Sequence, residues 1–574
     1  MRRDLRTIPG APGKNVTETK PENEMALILA RRAAYVKWIH DHFGSLQPEM
    51  DPRDGRCWAL NHARLVLEQD MEKANRYFES FGTLSEKGFN ADMDIFFIRF
   101  LKTLLDCQDS PRLSMKAKAH ITGILTAWPQ NERTSLTKWP CYHTENHNLM
   151  NLTIGLFAQK HRNGDIAGHL REIRKALVWR FQRGFVEWNS ACYQYHYSNP
   201  LIVLADYAPA AELRQCAQDL LNVLLAERAL LSVNGFLGGP SFRCRTADVG
   251  HSMTDRKVAY LEDGRYDAFL PTVWLAFGKG EPRFDFDTAR VPGLQPATTE
   301  YATGNEPRLK QDEGMFFACS AFQPHPVVLA LAEEAATRDA LIYCGQRYMG
   351  WPGKEQGEHL WETQRWMPGA IYYYNTPHVS MGSVHSSGWI CQARYNKVLF
   401  AADPSMGLRV EVILPGVAPH KRRYEARGRV VQHKNWLLGQ GTLFEDGGIR
   451  PRRVGSWNVY RVGKGLCAHY ALPDTCHVLQ VSDMDKFPAE EAFVRALSAP
   501  TLKEQQVCAT GMDGDRIEVD VKDMSISING TPRPHPPAML HDCPLMKSEY
   551  GSGKIAIHTA KGSVTFDGSS FLTG

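Results

Sequence analysis

The chain has 574 residues, 43% hydrophobic and 23% charged, which is enough for two or three domains with sizeable cores. Its 67 basic and 63 acidic side chains leave a formal net charge of +4, too small a surplus to point to nucleic acid. No stretch approaches the roughly 20 apolar residues of a membrane span, and the basic N-terminus has no apolar run behind it. The expectation is a cytoplasmic protein, or a periplasmic or secreted one if a leader has been removed. Thirteen cysteines, an odd number with no C-x-x-C pair, argue against a disulfide framework or a structural zinc.

Residues 1–22 are polar and rich in Pro, Gly and Thr, as in a flexible tail. From about residue 24 apolar side chains recur at helical spacing, over 25–40, 57–78, 93–105, 113–127, 148–160, 166–181 and 210–231. Short links make these antiparallel hairpins, and the lack of a fixed-period repeat favours a ring of hairpins over a regular solenoid. Between residues 231 and 257 the pattern breaks into a Gly-rich loop carrying Arg243, Arg245, His251, Arg256 and Lys257. Residues 280–314 are irregular too, and 326–338 read as a last helix. From about residue 370 the period changes to two, with strands expected at 371–376, 398–402, 408–414, 429–433, 477–481, 516–521 and 554–558 and another from Trp457. The expected architecture is multidomain, α then β: a tail over 1–22, a helical domain over 23–345 and stacked antiparallel sheets over 346–574.

Two polar knots stand out. Thr144-Glu145-Asn146-His147-Asn148 packs a carboxylate, two carboxamides and an imidazole where an apolar helix begins. Such a cluster is a helix cap or a site. Its side chains point in different directions on a helix, so no single cap uses them all. The second knot runs from Glu187 to Tyr197. Tyr193 and Tyr197 share a helical face, as in a packing stripe, but Tyr195 and His196 lie between them and make the segment polar all round. In the β half, His378 and His385 are seven residues apart. In one regular strand they face opposite sides, so at most one of them faces the helical half. The arginine loop is either solvated or a clamp for carboxylate or sulfate. Phosphate-loop, nucleophile-elbow and zincin motifs are absent.

The pair Asn146-His147, the run Gly184-Phe-x-Glu187 continuing to Ser190-x-x-Tyr193, and a β half led in by Tyr374-x-Thr-Pro377 resemble the heparinase II/III and alginate lyase group. The resemblance implies an α/α-toroid followed by an antiparallel β-sandwich, with a cleft where they meet. It implies β-elimination on a uronic-acid-containing glycan, an anionic polysaccharide or oligosaccharide, leaving a 4,5-unsaturated uronate end. By the same resemblance Asn146 and His147 hold and neutralise the carboxylate. Tyr193, with Tyr197 as its rival, protonates the leaving oxygen, and His385 or His378 comes from the β half as base or second neutraliser. Glu145, His196, His251, Arg243 and Arg245 are the candidate substrate contacts, the two arginines on charge alone. Some relatives bind zinc two residues beyond the sheet histidine, where this chain has Ser387, with Asp403 as a later position. No metal or other cofactor is expected, nor a nucleic-acid or membrane partner, and a homo-oligomer is compatible with the chain. The alternatives are a glycoside hydrolase using Glu145 with Glu187 or Asp248, and a non-catalytic carbohydrate-binding protein.

Overall fold

The computed structural model describes residues 24–46, 55–80, 93–128, 145–185, 190, 193–242, 267–279, 313–338, 341–348, 368–386, 394–412, 429–446, 448–535 and 537–572. The first part is helical: α1 (Glu24–Leu46), α2 (Gly55–Leu67), α3 (Met71–Glu79), α4 (Met93–Asp106), α5 (Met115–Ala127), α6 (Glu145–Arg162) and α7 (Ile166–Arg183). It continues through α8 (Gln194–Tyr207), α9 (Ala211–Leu231), α10 (Leu270–Phe277), α11 (Met315–Ala318) and α12 (Pro326–Thr337). The pattern over 57–78 suggests one helix, but the chain forms two. Glu68 and Asp70 take φ of 57° and 47°, and left-handed backbone stops α2 and starts α3.

Local chemistry sets several ends. The Ser114 hydroxyl caps α5 by accepting from Ala117 N–H at 3.0 Å, and Asp165 caps α7 by accepting from Gly168 N–H at 3.0 Å. Gly184, at φ 71°, closes α7. The helices α2, α4, α6 and α8 pack in succession, α8 touches α11, and α11 packs back on α1. Two arginines secure that return. Arg31 donates to the Leu275 and Ala276 carbonyls at 3.0 Å each, and buried Arg32 to the Ser320 and Phe322 carbonyls at 2.9 and 2.8 Å.

The second part is antiparallel sheet. Its first strands are β1 (Leu341–Tyr348), β2 (Pro368–Asn375), β3 (Val379–Ser386), β4 (Arg394–Phe400) and β5 (Asp403–Val412). Next come β6 (Val430–His433), β7 (Trp436–Gly439), β8 (Thr442–Glu445), β9 (Arg452–Val454), β10 (Trp457–Val462), β11 (Gly465–Leu472) and β12 (Cys476–Asp483). One sheet has the order β8-β5-β4-β3-β2-β1, and a second has β9-β10-β11-β12-β7-β6. Their facing side chains share one apolar layer, Val379, Met381, Val398 and Phe400 meeting Leu437, Leu479 and Val481. The other face of the second sheet packs on Val507, Ile517, Val519 and Ile526 of a five-stranded sheet over residues 501–532.

The last four strands, over residues 539–567, do not extend this stack. Ile555, Ile557 and Phe566 join the helical core, so the C-terminus folds back on the first part. The first sheet does so as well. The parity of β2 and β3 sends Ile371, Tyr373 and Val384 into the helical core and leaves Met381 and Tyr374 on the opposite face.

The approach is close because glycine allows it. After α9, Asn234-Gly235 turns a two-residue hairpin at φ 49° and 83°, and Gly238-Gly239-Pro240 lies along the sheet. A Cβ on Gly239, at φ 52°, would sit 2.2 Å from the Tyr373 ring, and one on Gly382 would sit 2.5 Å from the Gly239 backbone. The Tyr373 hydroxyl donates to the Pro240 carbonyl at 3.1 Å, and Asn375 Nδ2 to the Leu230 carbonyl at 2.9 Å.

The second sheet holds a buried imidazole that resists protonation. His469 stacks on Phe444 (centroids 3.9 Å, planes 11° apart) with Nε2 at 3.1 Å from His477 Nδ1. Burial, with His477 beside it, pushes His469 down to about 4. The unfolded ring takes a proton near its ordinary value and the folded one does not, so stability falls as pH drops from about 6.5 towards 4. We expect His469→Gln to remove a loss of roughly 3 kcal/mol from this window, measured by urea unfolding across pH. Parallel pH curves for the two proteins would overturn this assignment.

Candidate functional site

The N-terminal ends of α4, α6 and α8 lie together. Asp94, in the first turn of α4, is 2% exposed, and its Oδ2 lies 2.8 Å from His147 Nδ1 in the first turn of α6. The same oxygen accepts from Asn151 Nδ2 at 2.8 Å, and Asn151 also donates to the His147 carbonyl at 3.0 Å. A carboxylate only accepts, so Nδ1 carries the hydrogen and Nε2 is the ring's basic nitrogen. Asp94 and Asn151 therefore hold the orientation and tautomer of a histidine that is 8% exposed.

The neighbours of His147 do other work. Glu145 is 3% exposed and ion-paired with buried Arg180 of α7. Its buried carboxylate is held in the core by that pair, away from the surface position expected of a substrate contact. Asn146 is fully buried, and among the described residues neither its amide oxygen nor its nitrogen has a hydrogen-bond partner. It is not presented to a ligand in this arrangement, contrary to the role expected from the resemblance. Each such unpaired polar atom costs about 1–3 kcal/mol.

The tyrosines separate in the same way. Tyr197 is buried edge-on against Phe185 (5.1 Å, 82°), and burial beside Glu145 raises its hydroxyl well above the ordinary value, with Arg180 opposing. It belongs to the packing stripe and not to a reacting surface. Tyr193 is half-buried at the N-cap of α8, its N–H donating to Ser190 Oγ at 3.2 Å. Its ring lies 5.8 Å from that of His196, which is 7% exposed and bonded to the Tyr195 hydroxyl.

One residue on, Gln194 Oε1 accepts from Arg228 Nη1 at 2.9 Å. Arg228 is fully buried, ion-paired with Asp267, and lowered to about 9 by burial despite the nearby Tyr373. Sequence reasoning missed Asp94, Asn151, Arg228, Asp267 and Tyr373. Two of them left a trace: Asp94 opens the otherwise apolar Met93-Asp-Ile-Phe-Phe-Ile98, and Asn151 stands one turn after His147.

The structure does not bring the β-half histidines to this place. His385 pairs across strands with Ala370 and shares the face of Ser383 and Met381, turned away from the helices. It stacks at 4.2 Å on His535, with Arg533 at 4.4 Å over the neighbouring Tyr372. His378 precedes β3 and pairs with Asp485 at 2.7 Å, which Lys464 also contacts at 2.7 Å. Parity turns His385 away from the helical half, and the Asp485 contact places His378, which lies outside the strand. Arg243, Arg245, His251, Asp248, Glu187 and Ser387 lie outside the described residues.

Two further charged sets are built as internal pairs. At the far end of α4, Lys102 meets Asp106 at 2.6 Å and the Cys319 carbonyl at 3.0 Å, with His62 3.2 Å from Asp106. His433, Asp513 and Asp515 lie close enough to hold a cation, but Lys434 already pairs with both carboxylates and supplies the positive charge.

No protein-family model matches the chain, and no curated protein matches it either.

Breaking the Glu145–Arg180 pair from one side strands the other charge in the core. Arg180→Met is expected to cost about 3–5 kcal/mol, and adding Glu145→Leu should restore most of it, read by denaturant melts. A single variant as stable as the parent would show that the pair is not the buried contact described here.

Proposed function

We propose that the protein is a polysaccharide lyase that cleaves a uronic-acid-containing glycan by β-elimination. The observation that carries this reading is the Asp94–His147 pair, with Asn151 on the same carboxylate oxygen and half-buried Tyr193 at the start of neighbouring α8. Elimination needs a base for the weakly acidic proton at C5, a donor for the leaving glycosidic oxygen at C4, and neutralisation of the uronate carboxylate. In this reading His147 Nε2 takes the C5 proton. The electron pair forms the C4=C5 double bond, the C4–O bond breaks, and Tyr193 protonates the departing oxygen. The resulting histidinium faces the Asp94 carboxylate, which stabilises it as it forms.

The path of contacts from α2 through α4, α6 and α8 to α11 and back to α1 supports a toroid, and the apolar layer shared by two sheets supports a sandwich. The hydrolase alternative calls on a pair of carboxylates such as Glu145 with Glu187 or Asp248. The burial of Glu145 against Arg180 favours elimination over it.

Incubation with a panel of uronate glycans should produce the ultraviolet absorbance of a 4,5-unsaturated uronate on at least one of them. Asp94→Asn and His147→Ala should each lower kcat by about 10²–10⁴-fold with the fold intact, and Tyr193→Phe likewise. Tyr197→Phe should leave kcat per folded molecule unchanged. New reducing ends without the absorbance would sink elimination, and full activity of His147→Ala would sink the assignment of the base.

A further inference from the structure

A cavity of about 720 Å³ opens where α1, α2 and α3 meet, within the range of small-molecule sites and sharing no residue with the Asp94–His147 pair. Leu60 and Cys57 of α2 and Gly44 of α1 give it an apolar part. Its walls are charged. Three fixed cations, Arg64, Lys73 and Arg76, face two carboxylates, Asp41 and Asp70, which leaves one positive charge in excess when His40 is neutral.

The cations are incompletely used. Arg64 is 12% exposed and gives Nη1 to Asn61 at 2.9 Å, yet its buried Nε has no hydrogen-bond acceptor among the described residues, Asp70 standing off at 3.9 Å. Arg76 engages Glu72 through Nη1 at 3.1 Å. The carboxylates stay charged: Lys73 beside Asp70, and His40 with Lys37 beside Asp41, hold both below the usual carboxylate range. An occupant therefore meets guanidinium donors and permanent acceptors in one lining, with Asp70 3.9 Å from Arg64 and 3.2 Å from Lys73. Guanidinium matches an oxyanion, and ionised carboxylates take hydroxyl donors. Among the described residues the lining offers no Phe, Tyr or Trp face for a base to stack on.

We infer that this cavity is a binding site for a small hydroxylated anion, a sugar bearing one carboxylate or phosphate, with Arg64 and Arg76 on the anionic group and Asp41 and Asp70 on hydroxyls. The inference is drawn from this lining and does not rest on the elimination reading.

A substitution that fills the space without changing charge is available. A Cβ on Gly44 would meet nothing closer than Leu60 Cδ1 at 4.0 Å, so Gly44→Leu projects into the cavity from an ordinary helical position. Calorimetric titration of the full chain with glucuronate, glucose 6-phosphate, glucose and inorganic phosphate tests the inference. One of the two acid sugars should bind at least about tenfold more tightly than glucose and than inorganic phosphate, and which one binds tells carboxylate from phosphate. Gly44→Leu and Arg64→Gln, each checked for folding by circular dichroism, should weaken that binding by about tenfold or more. Neither acid sugar binding, inorganic phosphate binding as well as the sugar, or both variants binding like the parent would each overturn it.

Discussion

The seam between the helices and the first sheet is the constraint on which the rest depends. There backbone approaches side chain so closely that only glycine fits at positions 239 and 382, and the remaining contacts must be made by polar groups that find partners. The Tyr373 hydroxyl and the Asn375 amide supply these bonds, each to a carbonyl at the end of α9 or just beyond. Arg228 stands in the same region without solvent. It reaches Gln194 at the start of α8 and Asp267 before α10, so one buried cation ties two helical segments beside the sheet. A guanidinium so placed is tolerated because a carboxylate and an amide answer it. Lysine, with its single ammonium, cannot serve both in one plane.

Three consecutive residues of α6 show how helical geometry divides labour. Successive side chains leave the axis about 100° apart, so Glu145, Asn146 and His147 enter three different environments. Glu145 meets Arg180 of α7, Asn146 enters the core with no partner among the described residues, and His147 turns to Asp94 of α4. Only the last combination leaves a basic nitrogen whose orientation is held by a neighbouring charge. Apolar burial along α4, α6 and α8 surrounds these polar residues.

The β half uses several of its histidines as packing groups. His469 lies flat on Phe444 and His385 on His535, and burial lowers the proton affinity of His469, His477 and His535. A neutral imidazole is a flat, moderately apolar ring, and a sheet interior accepts it on those terms. This ties the stability of the second part to pH through residues that take no part in the chemistry proposed for the first.

Much of this was legible in the sequence, for physical reasons. Period 3.6 and then period two reported helices and then strands, because each element must bury one face. The dense polar run at 145–148 reported His147, because a helix start with so many polar groups asks for partners. Partners from distant segments left only faint marks. Asp94, Arg228 and Asp267 come from separate elements, and nothing local in a chain announces a contact made across tens or hundreds of residues. The choice between Tyr193 and Tyr197 also waited on packing, since one helical face serves a core and a site equally well until a neighbour such as Phe185 covers it. Of the sheet histidines, His385 was decided by parity and His378 by its pairing with Asp485. The sequence by itself determined the order of helices and strands and which residues carried chemistry worth placing. Only the tertiary structure decided which of them meet, because burial and orientation belong to the neighbours a residue acquires on folding.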